Sequence, residues 1–486
     1  MISLEPTSDN VQDTRIGVHM VSLGCAKNLV DSESMCGILA DNGYRLTTDP
    51  VQARVIVVNT CGFIESAKKE AIDKILEMAE YKKNDSRPPV SQSSEPSDGA
   101  TVSGQCDFLI VAGCLAQRYA PNIRSSIPEV DAILGTSEYG SIADTIRSLY
   151  EQRSGSFPDQ EPPAPIVRTQ RTAGLSHLQE ERILSTRGYA YLKVAEGCSN
   201  HCTYCAIPGI RGDFRSRDFD ELVAEAKSLT DKGIYEIVLI AQDTTRYGLD
   251  IYGERRLPAL IREISQIPAV RKIRVLYCYS DGITPELIEE MRTNPKVAHY
   301  IEMPIQHASD TVLRRMNRRD TARSIAHNIR ALRKAIPGIT IRTTVLVGFP
   351  GETEEEFEEL YRFVERMRFD LLGCFVFSPE EGTPAFSMRP KIPRTVARSR
   401  YHRIMALQNR IASKKVLAKL RKKITITVES ISDDGIFYLG RGDAQAPEID
   451  PPVTIAATAE PLTIGNEYVV QIVDISDNEL TGVIVP

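Results

Sequence analysis

Long apolar runs are missing from this chain. Its 486 residues contain no apolar stretch long enough to span a bilayer, and the polar segment from Met1 to Arg15 has no signal-peptide core. These two absences predict a soluble, cytoplasmic protein without a membrane partner. Cytosolic thiols stay reduced, so the ten cysteines indicate metal or redox chemistry rather than disulfides.

Basic residues are nearly missing from the end of the chain. Between Ile424 and Pro486 there is one, Arg441, against eleven acidic residues, so this segment carries a charge of −10. The rest of the chain, with 58 basic and 54 acidic residues, carries +4. Binding RNA needs Lys and Arg to neutralise phosphate, whereas an acidic surface suits a basic protein partner. The alternative is that the acidic surface serves solubility alone.

A fourth cysteine is missing from the one cysteine-rich loop. Cys198, Cys202 and Cys205, here called the loop triad, have the spacing C-x3-C-x2-C. Three thiolates can hold three corners of a four-iron cluster and leave the fourth iron free to bind a substrate and pass it an electron. A structural zinc site is the alternative, with His201 as the extra ligand. A disulfide is disfavoured because three cysteines cannot pair among themselves.

Three further cysteines share one local pattern. Cys25, Cys61 and Cys114, here called the strand-exit triad, each follow a predicted parallel strand and precede a helix. Such strand ends line one edge of an open α/β sheet, so the three thiols could meet at one point. Helix N-termini there favour a thiolate or an anionic cluster. The alternative is that they are small buried hydrophobes. Each has an adjacent glycine that would let the backbone come close: Gly24, Gly62 and Gly113.

The chain alternates apolar runs with helical patterns, which predicts an α/β protein of roughly two to four domains. The runs Val18–Leu23, Val55–Val58 and Phe108–Ala112 predict buried parallel strands. Six strand-then-helix units in the middle predict a partial or full (β/α) barrel. Short alternating runs at the end predict a small OB-like β-barrel. We therefore expect an N-terminal parallel-sheet domain at 15–150 with a flexible insertion at 82–105, a linker at 151–183, the (β/α) barrel at 184–415 and the small all-β barrel at 416–486.

Taken together, these motifs resemble the radical S-adenosylmethionine (SAM) methylthiotransferases. C-x3-C-x2-C opening a (β/α) barrel is similar to radical SAM enzymes, the segments around the strand-exit triad are similar to the N-terminal methylthiotransferase domain, and the acidic tail is similar to a TRAM domain. Six segments resemble the RimO branch of that family in particular: Ser22–Glu33, Asn59–Ile64, Gly113–Tyr119, Ala241–Thr245, Pro304–Asp310 and Ala446–Asp450.

The resemblance implies a division of labour between the two triads. The loop triad would hold the radical SAM cluster, whose open iron binds SAM and yields a 5′-deoxyadenosyl radical. The strand-exit triad would hold a second four-iron cluster that handles sulfur. RimO-like enzymes add a methylthio group to the β-carbon of an aspartate in small-subunit ribosomal protein twelve. A reducing flavodoxin or ferredoxin and a sulfur donor are then expected partners.

Further candidates for SAM contacts lie at predicted barrel strand ends, where barrel ligands bind: Gln242, Asp243, Gln306, Ser309 and Gly348. The alternative is that Ser309 is a helix cap and that Gly348, with Gly351, is a turn residue. Arg211, Arg215 and Arg217 could bind a substrate carboxylate, but a solvated basic face is the preferred interpretation.

Two other functions stay open. A tRNA methylthiotransferase of the MiaB type would share both triads, the barrel and the tail domain, and the acidic tail argues against it because it would repel RNA. A non-catalytic iron–sulfur scaffold or redox sensor is the other alternative, and it predicts no SAM cleavage under strong reduction.

Overall fold

A computed structural model describes residues 15–82, 105–154, 164–171, 174–456 and 460–485. It divides into two compact units. The first contains the described residues up to Thr186 together with Ala206–Gly212, and the second contains Arg187–Cys205 and the described residues from Asp213 onward. The predicted insertion at 82–105 lies outside the described residues except at its ends. None of the described helices combines the length and apolar character that crossing a membrane requires.

The first unit is built on a six-stranded parallel sheet in the order β2-β1-β3-β4-β5-β6. Its strands are β1 Gly17–Ser22, β2 Arg45–Thr47, β3 Val55–Thr60, β4 Phe108–Gly113, β5 Val130–Leu134 and β6 Ile166–Arg168. Its helices are α1 Ala26–Asp41, α2 Glu65–Ala79, α3 Cys114–Ser126, α4 Ile142–Ser154 and α5 Ile207–Arg211.

Apolar runs without polar interruption explain the centre of this sheet. Every residue of β3 and β4 is buried, which a strand covered by helices on both faces requires. Successive side chains point to opposite faces, so Val55 and Val57 pack into one core while Ile56 and Val58 pack into the other. The predicted strands are confirmed. The stretch treated as a linker, 151–183, contributes β6, which pairs with β5.

The second unit begins with a six-stranded parallel sheet in the order β14-β13-β12-β11-β10-β7, whose ends stay unpaired, so the barrel is partial. The strands are β7 Tyr189–Lys193, β10 Glu236–Ile240, β11 Lys272–Val275, β12 Val297–Glu302, β13 Thr340–Val347 and β14 Leu371–Val376, with the short pair β8 Ala195–Glu196 and β9 Arg215–Ser216. The helices are α6 Phe219–Asp231, α7 Leu257–Ser265, α8 Pro285–Thr293, α9 Asp310–Arg315, α10 Ala322–Ala335, α11 Glu354–Met367, α12 Pro384–Ser387 and α13 Arg394–Leu417.

The acidic tail forms a closed five-stranded barrel in the order β15-β16-β17-β19-β18, as predicted for an OB-like domain. Its strands are β15 Lys423–Ile431, β16 Phe437–Arg441, β17 Val453–Ala456, β18 Glu467–Ser476 and β19 Glu479–Ile484. Alternating apolar residues such as Ile426, Val428, Ile455 and Ile472 fill its interior. The α/β fold class with this three-part architecture is therefore confirmed.

Three acidic residues of the tail contact the parallel sheet of the same unit. Asp443 lies 3.2 Å from Lys272, Glu448 accepts a hydrogen bond from Tyr191 at 3.0 Å, and Asp450 accepts one from Tyr300 at 2.8 Å. The single basic residue of the tail, Arg441, is buried and bonds Glu236 and Glu429. Seven further acidic residues of the tail are exposed: Asp433, Asp434, Glu460, Glu467, Asp474, Asp477 and Glu479.

Candidate functional site

The strand-exit triad lies at one edge of the first sheet. Cys25 is the N-cap of α1 after β1, Cys61 follows β3, and Cys114 opens α3 after β4. β1, β3 and β4 are neighbours in the sheet, so their carboxyl ends lie side by side. Cys114 is buried, Cys61 is half-buried and Cys25 is the most exposed of the three. The structure therefore places the three cysteines at the ends of neighbouring strands, as the sequence predicted.

Two glycines make this close approach feasible. Gly24 and Gly113 both have φ of +97°, a conformation that a side chain would strain. A Cβ on Gly24 would lie 2.8 Å from Cβ of Cys61, and a Cβ on Gly113 would lie 2.4 Å from Oδ1 of Asn59. The positions of Gly24 and Gly113 therefore have no room for a larger residue. Three thiols with no fourth cysteine fit a four-iron cluster that keeps one open iron.

The thiols of this triad influence one another. The pKa of Cys114 is raised to about 11, mainly by burial; Arg211 opposes this rise, and Cys25 and Cys61 add to it. At Cys25 desolvation also acts to raise the pKa, but Lys27, Arg211 and two backbone N–H groups outweigh it and hold the pKa below its ordinary value. The site therefore supplies one thiol that ionises readily and charges that favour anionic ligands.

A buried polar network underlies the triad. Asn28 donates to the carbonyls of Leu23 and Thr60 at 2.9 and 3.0 Å, which joins the ends of β1 and β3. The Oδ1 of Asn28 accepts from Arg211, whose other terminal nitrogen lies 3.0 Å from Asp31. Arg211 is 3% exposed, so the solvated basic face was wrong for this residue. Its partners lie about 180 residues away in the sequence, so no local sequence pattern predicts them.

The loop triad lies in the second unit, directly after β8. A turn with the N–H of Cys205 donating to the carbonyl of Cys202 at 3.0 Å brings these two residues together. Cys198 and Cys202 are buried and Cys205 is half-buried. The Tyr279 hydroxyl lies 3.2 Å from Sγ of Cys202, a contact that the sequence did not indicate.

A structural zinc site at the loop triad would need His201 as its extra ligand. His201 is exposed and has φ of 51°. Asn317 binds its carbonyl at 2.9 Å. Within the described ranges, no group of three or more His, Cys, Asp or Glu side chains is arranged around a single metal ion. A four-iron cluster differs from such an ion because each thiolate binds a different iron. All ten cysteines are free, so neither triad forms a disulfide.

Gln242 and Asp243 lie where β10 ends, as the sequence predicted. Asp243 is buried and accepts hydrogen bonds from Asn200 at 2.8 Å and from Thr245 at 2.7 Å; burial raises its pKa. Asn200 belongs to the loop triad segment, so Asp243 ties that loop to the strand end. Gln242 donates to Glu196 at 2.8 Å, while its Oε1 is buried and has no hydrogen-bond partner among the described residues.

The other predicted contacts lie at the ends of β12 and β13. Gln306 has φ of 65°, an uncommon conformation that often marks functional sites. Ser309 is buried at the N-cap position of α9, although its side chain makes no cap hydrogen bond. Gly348 and Gly351 both have φ of 76°, a conformation that favours glycine.

Glu352 organises the Gly348 turn. Its carboxylate accepts from the N–H groups of Gly348 and Phe349 at 2.6 and 3.0 Å and pairs with Arg400 at 3.0 Å. Burial raises the pKa of Glu352 to about 7, and Arg400 opposes that rise. The carboxylate thus fixes the backbone of the turn at the barrel edge.

Arg217 also departs from the predicted basic face. It is buried, pairs with Glu225 and donates to the carbonyl of Lys193 at 3.1 Å. The interpretation as a solvated basic face was therefore wrong for Arg217 as well. The charge of Arg217 is paired with a carboxylate of the second unit.

Comparisons with known proteins agree with this architecture. Three family models match: the Radical SAM superfamily over residues 192–364, the uncharacterized protein family UPF0004 over 17–135, and the TRAM domain over 422–485. The ribosomal protein uS12 methylthiotransferase RimO of Acetivibrio thermocellus is 46% identical over 96% of this chain and 98% of its own length. The protein of the same name from Clostridium tetani is 41% identical over 97% of this chain and 98% of its own length.

A solved structure shares the fold at much lower identity. The radical S-adenosylmethionine methyltransferase TsrM from Kitasatospora setae, with cobalamin and a 4Fe-4S cluster bound, aligns with a TM-score of 0.51 and 14% identity. The alignment covers 76% of this chain and 77% of that one. At this identity the likeness concerns the fold alone.

Proposed function

The chain belongs to the family of ribosomal protein uS12 methylthiotransferases named RimO, and on that premise we propose that it adds a methylthio group to the β-carbon of an aspartate in uS12. It is a radical SAM transferase. The cofactors of the family are two four-iron clusters and SAM. A ribosomal substrate would place the enzyme in the cytoplasm.

The strand-exit triad is the observation that supports the proposal most. We assign one cluster to the loop triad and the other to the strand-exit triad, because each set offers three thiols of which at least one is buried. When bound, these clusters supply the radical that removes hydrogen from an unactivated carbon and the site that handles sulfur. An enzyme that only makes a radical does not need the second set of cysteines.

The strand ends of the partial barrel are the proposed SAM site. Gln242 presents a buried oxygen that no group in the described part of the chain donates to, and this oxygen can accept from an amino group of a ligand. Asp243 holds the loop triad segment through Asn200. Gln306, Ser309 and Gly348 follow neighbouring strands, and ligands of (β/α) barrels bind at these ends. The role of these side chains is to orient the ligand and to exclude water.

The tail favours a basic protein over tRNA as the substrate. Between Ile424 and Pro486 the single basic side chain, Arg441, is buried between two carboxylates, so it is not available to phosphate. The exposed basic residue of the barrel is Lys423, at the start of β15. The exposed acidic residues of the tail give that domain a negative surface. Electrostatic complementarity then favours a basic ribosomal protein and disfavours RNA. A reducing flavodoxin or ferredoxin and a sulfur donor complete the proposed set of partners.

Deleting the gene is expected to remove the methylthio group from uS12 and to leave tRNA unchanged. Mass spectrometry of uS12 and of nucleosides from bulk tRNA, in the parent and deletion strains, measures both. The same strain carrying the intact gene on a plasmid is the control and should regain the modified protein. Loss of a methylthio group from tRNA with uS12 unaffected would favour the MiaB-type alternative instead.

A further inference from the structure

One buried guanidinium faces the strand-exit triad. Arg211 closes α5, and that short helix is fixed within the first unit because Thr136 donates to the carbonyl of Ile210 at 2.9 Å. Ile210 in turn packs against Cys114 and Ala206. Arg211 therefore stands on a fixed element next to one of the three thiols.

The orientation of this guanidinium is fixed by two partners. One terminal nitrogen donates to Oδ2 of Asp31 at 3.0 Å, and the other donates to Oδ1 of Asn28. Asp31 is fully buried and also lies 3.5 Å from Nε2 of His177. Because Asn28 is itself bonded to the ends of β1 and β3, the guanidinium keeps a constant position relative to the loops that carry the cysteines.

The guanidinium of Arg211 lies beside the triad, because Oδ1 of Asn28 accepts both from Arg211 and from Sγ of Cys114, the latter at 3.8 Å. The influence of its charge extends to the other two thiols. Desolvation is the largest influence on each of them, and Arg211 acts in the opposite direction at Cys25, Cys61 and Cys114 alike. Lys27 acts on Cys25 as well, but it does not figure among the main influences on Cys61 or Cys114. Arg211 thus acts on all three cysteines.

A cation in this position has a definite electrostatic consequence. A four-iron cluster with three thiolates is an anion, and reduction adds one more negative charge to it. Net charge and hydrogen bonding around a cluster are among the factors that set its reduction potential. In a buried site of low dielectric constant, a nearby positive charge stabilises the more negative state.

We propose that Arg211 is a positioning residue whose buried charge raises the reduction potential of the cluster at the strand-exit triad, and that Asp31 lowers that potential by partly neutralising it. The proposal rests on the assignment of a cluster to Cys25, Cys61 and Cys114. It adds to that assignment a role for a side chain outside the cysteine motifs.

The test uses the full chain with Cys198, Cys202 and Cys205 replaced by alanine, so that only the strand-exit triad can load a cluster. After anaerobic reconstitution with iron and sulfide, a redox titration followed by electron paramagnetic resonance gives the midpoint potential. We expect Arg211→Gln to lower that potential, Arg211→Lys to stay closer to the parent, and Asp31→Asn to raise it. Arg147→Gln is the matched control, since Arg147 is an exposed arginine of the same unit paired with Asp144, and it should leave the potential unchanged.

Opposite shifts of the midpoint potential in Arg211→Gln and Asp31→Asn distinguish an electrostatic role of Arg211 from a structural one. A merely structural role would lower the iron content of both Arg211→Gln and Asp31→Asn and would give no opposite shifts. If Arg211→Gln fails to load, Asp31→Asn still decides, because an unchanged or lower potential there overturns the proposal. Equal potentials in Arg211→Gln and the parent at equal iron content would also overturn it. A parent that binds no cluster would instead refute the assignment of the triad.

Discussion

Replacing Cys198, Cys202 and Cys205 by alanine is expected to abolish reductive cleavage of SAM while the chain keeps about four of its roughly eight irons. The three thiols lie on one loop in the second unit, and two of them are buried. Without them no iron is held where SAM must bind. Cleavage should fall to the background of free iron and reductant, measured as release of 5′-deoxyadenosine under strong reduction.

The reciprocal variant should behave differently. Replacing Cys25, Cys61 and Cys114 by alanine should also leave about four irons per chain, but 5′-deoxyadenosine should still form while the methylthio product on a uS12 substrate is lost. Cys36→Ala is the control, because Cys36 is a buried cysteine of the first unit that packs in its core and should keep the full iron content. Loss of SAM cleavage in the strand-exit variant, with the second unit still folded, would refute the division of labour.

Much of the first unit could be predicted because its information is local. The apolar runs of β3 and β4 predict buried parallel strands, and parallel strands end at one edge, so the placement of three distant cysteines at one edge of the sheet followed from their shared position at strand exits. Strand β5 was not predicted. The short strands β2 and β6 were not predicted either. Each has three residues and carries no apolar run, and their place in the sheet is set by pairing with β1 and β5.

The partners of charged residues could not be predicted in the same way. Arg211 finds Asn28 and Asp31 only after the chain has folded, across about 180 residues. Asp450 was one of the eleven acidic residues counted in the tail, but it is buried against Tyr300 and Arg342. Charge counts describe the composition of a segment, whereas burial decides which charges a partner can meet.

Arg274→Met is expected to destabilise the second unit by about 3–5 kcal/mol, the usual range for breaking a buried ion pair. Arg274 is fully buried and pairs with Glu236 at 2.8 Å. It also donates to the carbonyls of Asp443 and Gly442 at 2.7 and 3.2 Å. The substitution therefore removes one of the three cations that balance Glu236 and leaves two carbonyls of the small barrel without this donor.

Urea unfolding and hydrogen–deuterium exchange measure the two effects. The unfolding midpoint should fall, and amide exchange should rise in the segment around Gly442 and Asp450. Arg292→Met is the matched control, because Arg292 is an exposed arginine that pairs with Glu289 one turn away on α8, and its midpoint should match the parent. Equal midpoints for Arg274→Met and Arg292→Met would contradict the importance of the buried pair.

The pH dependence gives this prediction a second signature. Burial acts to raise the pKa of Glu236, but Arg274, Arg441 and Lys272 lower it to about 2 from an ordinary value of 4.5. A lowered pKa in the folded state means that the ionised carboxylate contributes stability above about pH 4.5, and that this contribution is lost as the pH falls toward about 2. Without Arg274 the pKa of Glu236 rises. Protonation of Glu236 therefore removes its incompletely balanced buried charge in the variant at a higher pH than Glu236 titrates in the parent. The difference in stability between the two proteins should therefore be largest near neutral pH and should shrink at about pH 3. A difference that stays constant over this range would mean that lost packing, and not the unpaired carboxylate, accounts for the destabilisation.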